Sequence, residues 1–84
     1  MKVQVLFFGE LRETVNAANE IVNVSDNITV AGLIEELAAR GEPWRSAMTS
    51  SEPLRVAVNQ EMAGPNTALS EGAEVALFRP VTGG

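Results

Sequence analysis

Side-chain chemistry is sparse in this sequence. It holds no histidine, cysteine or tyrosine, so neither a nucleophile–imidazole pair nor an imidazole or thiolate metal site can be assembled from it. The carboxylates stand singly or adjacent, and Glu35-Glu36 reads as the solvated face of a helix rather than as an acid and a base. Ser50-Ser51 has no base nearby in sequence, and no glycine-rich phosphate loop follows a strand. An autonomous enzyme is not expected, nor a bound metal. The exception is the segment Pro80-Val81-Thr82-Gly83-Gly84. Proline stops the preceding strand from continuing as a central one. Two residues without Cβ make a thin arm that can enter a narrow channel and take the backbone geometry imposed there. The reacting group is then expected to be the α-carboxylate of Gly84, carried on a flexible arm formed by residues 80–84.

The rest of the composition describes what must carry such an arm. A chain of 84 residues supports one domain, expected over residues 1–79. With 45% apolar and 20% charged residues, it reads as globular rather than disordered. The absence of cysteine leaves packing alone to stabilise the core, and fits a reducing, cytoplasmic setting. No apolar run approaches the ~20 residues of a membrane span. The formal charge of −5, with a single lysine and scattered arginines, argues against nucleic acid as a partner. An acidic surface suits docking on a basic patch of another protein.

Periodicity supplies the elements. Lys2 to Phe8 reads as a strand with Val3, Val5 and Phe7 on one face. Its other face, Gln4, Leu6 and Phe8, turns apolar toward its end, as in a central strand or one leading into a contact surface. Glu10 to Asn16 fits a helical turn, and Glu20 to Val24 a second strand antiparallel to the first. Thr29 is a helix N-cap candidate, followed by Val30, Leu33, Ile34 and Leu37 on one face. Glu36 and Arg40 are spaced to pair on that helix, and Gly41 with Pro43 ends it. Pro43 to Met48 fits a short helical piece carrying Trp44, and Ser46 to Glu52 a polar connection. Leu54 to Asn59 alternates as a strand with Leu54, Val56 and Val58 inward, and Glu74 to Arg79 is the last strand.

Strand, strand, helix, strand, strand is satisfied by an α+β, ubiquitin-like β-grasp: a mixed sheet with one main helix on one face. The first and last strands lie side by side and parallel in its middle. A ferredoxin-like fold is the alternative, disfavoured because no second full helix separates the last strands.

Three segments carry a family resemblance: Val5-Leu6-Phe7-Phe8 with Leu11-Arg12-Glu13, then Ala57-Val58-Asn59-Gln60, and finally Glu74 through Gly84. Over essentially its whole length the chain resembles the sulfur-carrier (small) subunits of molybdopterin synthase, which are ubiquitin-like proteins. Arg79 stands where that family commonly has a first proline, and Ala73 where an Asp is frequent. The resemblance implies a carrier cycle. An E1-like adenylating enzyme uses MgATP to convert the Gly84 carboxylate into an acyl-adenylate, and a sulfur donor protein displaces AMP to leave a thiocarboxylate. The large, catalytic synthase subunit then uses that sulfur on cyclic pyranopterin monophosphate to build the molybdenum cofactor. No cofactor is bound by the carrier itself, and the family implies a heterotetramer of two carriers and two large subunits. Residue by residue, the resemblance implies a partner interface of Phe8, Arg12, Met62, Phe78 and Arg79, continuing into Pro80, Val81 and Thr82, with Gly83 completing the tail before Gly84. Other roles share this pattern: a protein modifier joined to lysines through Gly84, a sulfur carrier for thiamine or tRNA thiolation, or a binding module whose tail is incidental.

Overall fold

A computed structural model describes residues 1–49 and 53–80. The expectations for Val81, Thr82, Gly83 and Gly84 lie outside the described residues, as does the end of the Ser46–Glu52 connection. Five strands form one sheet: β1 (Lys2–Phe7), β2 (Asn19–Asn23), β3 (Arg55–Val58), β4 (Glu61–Ala63) and β5 (Glu74–Phe78), in the order β2-β1-β5-β3-β4. β1 and β5 pair in parallel at the centre, with Gln4 opposite Glu74 and Phe7 opposite Leu77; the other pairs are antiparallel. This is the expected β-grasp arrangement. No helix among the described residues is long and apolar enough to cross a membrane.

Three helices, α1 (Gly9–Val15), α2 (Val30–Ala38) and α3 (Trp44–Thr49), contribute to one core. From the sheet come Val3, Val5, Phe7, Val56, Val75 and Leu77, and from the helices Leu11, Val15, Val30, Leu33, Leu37, Ala47 and Met48. No polar or charged residue is buried among them, so stabilisation rests on apolar burial, about 1.5–3 kcal/mol for each large side chain. Thr29 caps α2 as its spacing predicts, its Oγ1 accepting from the Gly32 N–H at 3.1 Å. Gly32 has a packing reason: a Cβ there would lie 2.8 Å from Cγ1 of Ile28, so the helix gives up propensity to let the preceding loop close against it.

Several sequence expectations are corrected. The helical piece expected over Pro43 to Met48 is present as α3, and Ser46 to Thr49 belong to it rather than to the polar connection expected from Ser46, because Ala47 and Met48 are buried in the core. Val56 is buried, but Leu54 and Val58 are only partly so. β4 was invisible to periodicity: Glu61-Met62-Ala63 has no β-branched residue and is held by its ladder, with Val56 opposite Ala63 and Val58 opposite Glu61. Arg40 pairs not with Glu36 but with Glu20 of β2, Nη1 to Oε1 at 3.1 Å and Nη2 to Oε2 at 2.5 Å. The same guanidinium lies 4.6 Å from the centre of the Trp44 ring, which meets Phe7 edge-on at 5.4 Å. Sheet edge, helix end and core are thereby joined in one stack.

The β3–β4 hairpin turns on Asn59 and Gln60, both with positive φ (50° and 70°), the pattern of a type I′ turn. Asn59 suits this state and also accepts from the Glu74 N–H through Oδ1 at 3.0 Å. Gln60 does not suit it. Gln60→Gly is expected to raise stability by about 1 kcal/mol and the melting temperature by roughly 4–8 °C, as read by thermal unfolding. An unchanged or lower midpoint would contradict the turn assignment.

Candidate functional site

The period-2 alternation of the central strands divides the sheet into two faces. Val3, Val5, Phe7, Val75 and Leu77 point to the helices and are buried. Among the described residues no helix covers the opposite face, and its character changes along the strands. Near the start of β1 and β5 it presents Gln4 and Glu74, in register with Ile21 of β2. Two residues further on, the register aligns Asn19, Leu6, Ala76, Ala57 and Met62 across all five strands. Beyond them stand Phe8 and Phe78, where the Phe8 N–H still donates to the Leu77 carbonyl at 3.2 Å.

The apolar end of this face is concave. Phe8, Gly9, Ala76, Phe78, Arg79 and Pro80 line a groove of about 510 Å³ at the place where β5 gives way to the C-terminal segment. Gly9, at φ 58°, turns the chain out of β1 into α1, a backbone state glycine reaches without Cβ strain. Phe8 is 48% exposed and Met62 62% exposed, which removes core packing as the reason for either side chain. Groups of this kind, large and apolar in water, mark a surface that gains free energy by being covered.

The residues singled out in the sequence do not all meet. Phe8, Phe78, Arg79 and Pro80 line one groove. Met62 sits at the far edge of the same sheet face and borders a second groove with Ile34, Leu54 and Pro65. Arg12 is exposed and lines a separate, polar groove with Glu13, Asn16, Ala17 and Ala18. Arg79 is partly buried and turned to the helical side, where Nη2 donates to the Ala47 carbonyl; its Nε is buried without an acceptor among the described residues. Gly84, Gly83, Thr82 and Val81 lie outside the described residues. Ala57 and Ala76 give no hydrophobic signal in the sequence, and only strand register places them on this face. Gly9 reads in the sequence only as an interruption of the strand, and the turn out of β1 puts it in the groove. Leu6 has a hydrophobic signal: the outward face of β1 turning apolar toward Phe8.

The ThiS family model matches residues 5–84. The chain is 40% identical over 83 residues to the molybdopterin synthase sulfur carrier subunit of Escherichia coli, covering 98% of this chain and 99% of that protein. It is 35% identical to the protein of the same name from Haemophilus influenzae, with the same coverage. Among solved structures it is similar to SAMP1, a small archaeal modifier protein of Haloferax volcanii, with 26% identity, TM-score 0.81 and full coverage of both chains.

The two faces make opposite predictions about stability. Met62→Ser is expected to change unfolding free energy by less than about 0.5 kcal/mol. Phe8→Ser, which places a capping residue at the N-cap of α1, is expected to be neutral or stabilising by up to about 1 kcal/mol, whereas Phe7→Ala, one residue away, should cost roughly 3–5 kcal/mol. Urea unfolding of the three variants checks this, and a large loss for Phe8→Ser would contradict the assignment of the faces.

Proposed function

Since the chain belongs to the ThiS family, we propose that it is the sulfur-carrier subunit of a molybdopterin synthase and that Gly84 bears the sulfur. The observation that carries this reading is the coupling of an apolar groove to the root of the Gly-Gly segment. Phe8, Phe78 and Pro80 line the groove, and Pro80 is four residues from Gly84. A partner that covers the groove receives the chain end with it.

The chemistry follows from the carboxylate. It is a poor acyl donor until one oxygen leaves, so its oxygen attacks the α-phosphorus of MgATP on an E1-like adenylating enzyme and pyrophosphate departs. Hydrosulfide attacks the acyl carbon, and AMP leaves with the carbon–oxygen bond broken. Where a sulfur donor protein attacks instead as a persulfide, a second thiol cleaves the resulting acyl disulfide, releasing the thiocarboxylate and leaving the donor as a disulfide. The thiocarboxylate is ionised at neutral pH and is the better nucleophile, as thiolates are over thiols. The large synthase subunit then directs this sulfur at cyclic pyranopterin monophosphate. The carrier contributes reach and recognition, needs no cofactor of its own, and joins the large subunit in a heterotetramer. Docking energy concentrates on Phe8 and Phe78, with Met62 extending the contact.

A second reading is favoured by the likeness to the archaeal modifier protein: activated Gly84 forms isopeptide bonds with lysines of target proteins. The two part after adenylation. Incubation with the adenylating enzyme, MgATP and sulfide, followed by intact-mass spectrometry, is expected to show one oxygen of Gly84 replaced by sulfur. Cells are expected to yield the same species, and recovery of the chain mainly as lysine conjugates would replace the carrier reading with the modifier one. Deleting Gly84 should abolish molybdenum-cofactor synthesis, and Phe8→Asp should weaken large-subunit binding by about 2 kcal/mol or more in calorimetry. Cofactor synthesis persisting without Gly84 would end the proposal.

A further inference from the structure

Arg79 stands at the junction between the folded body and the C-terminal segment, and its surroundings suit a structural tether better than a contact with a partner. β5 ends at Phe78, so the ladder no longer holds the chain at residue 79. Pro80 next to it has no N–H with which to extend pairing. Alternation directs Phe78 to the open face and Arg79 to the helical one, where its Nη2 donates to the carbonyl of Ala47. Ala47 lies in α3 near the end of its described residues, where a helix carbonyl can accept from a side chain. A guanidinium donating there suits the negative pole of a helix end. The tether has a firm anchor: Ala47 and Met48 are in the core, and Trp44 at the start of α3 packs on Phe7.

We propose that Arg79 is a positioning residue: by its hydrogen bond to the Ala47 carbonyl of α3 it fixes the point and direction from which the Gly84 end departs. This rests on the carrier reading above. From Arg79 five residues remain, a reach of at most about 17 Å in an extended chain. With so short an arm, an error of direction at the root is carried directly to the reacting atom. Simple lengthening of the free arm by one residue would dilute its end only about 1.3-fold. Misdirection of the reacting atom by an ångström costs far more, up to roughly 100-fold, so the size of the effect separates the two.

The test compares wild type with Arg79→Met, which keeps the stem and loses the donors, and Arg79→Lys, which keeps a cationic donor. Each carrier is loaded with sulfur and mixed with the large synthase subunit and cyclic pyranopterin monophosphate in single-turnover experiments over a range of carrier concentrations. The saturating rate should fall roughly tenfold in Arg79→Met, with the half-saturating concentration within about twofold and part of the rate restored in Arg79→Lys. The carbonyl carbon resonance of Ala47 should shift in Arg79→Met. A saturating rate within about twofold of wild type, a loss confined to half-saturation, or an unmoved Ala47 resonance would overturn the proposal. Failure of wild type itself to take up or transfer sulfur would instead sink the carrier reading, so the two failures are distinguishable.

Discussion

The parallel pairing of β1 with β5 is the constraint on which everything else depends. It joins the two ends of the sequence, Gln4 to Glu74 and Phe7 to Leu77, and so closes a loop of about seventy residues before any of its contacts is gained. What offsets that entropy is the fully buried row of Val3, Val5, Phe7, Val75 and Leu77 under the helices. Because the pairing is parallel, both central strands point the same way. The end of β1 that turns into α1 therefore lies beside the end of β5 that runs into Pro80. Phe8 and Phe78 become neighbours for that reason alone, although seventy residues separate them in sequence.

Much of this was legible in the residues, and the exceptions have physical reasons. The strands β1 and β5 and the helix α2 announce themselves by β-branched alternation and by Thr29 followed by an apolar stripe. The parallel centre then follows from the order of elements. β4 is not legible, because three residues of ordinary propensity are strand only through their partner strand. The helical piece expected over Pro43 to Met48 is α3 (Trp44–Thr49); only the overlapping reading of Ser46 to Thr49 as a polar connection fails, since Ala47 and Met48 are buried. Arg40 was assigned the neighbour that helical spacing offers; tertiary structure presents Glu20 in a bidentate geometry and Trp44 beneath it, and such a fork outcompetes a flexible surface pair.

For the site, the end of the chain was legible as chemistry and the surface beside it only in part. Phe8 and Phe78 belong to strands whose inward faces were already accounted for, so their outward placement follows from period two. Arg12 does not share their groove, since one turn of α1 carries it to the polar side. The resemblance implies Arg79 as part of the partner interface, and in the fold its Nη2 donates to the Ala47 carbonyl of α3.

The gradient along the open face of the sheet has a consequence for how this molecule can be changed. At the start of the strands Gln4 and Glu74 stand beside the exposed Ile21 and carry the solubility of that face, and the apolar finish, around Phe8 and Phe78, carries its adhesion. The adhesive half is the half next to the chain end. Grip and delivery thus occupy the same few residues, and any substitution that makes the free protein less prone to self-association will blunt its hold on a partner. A net charge of −5 offers a way around this conflict: it keeps free copies apart at long range while leaving the patch itself untouched.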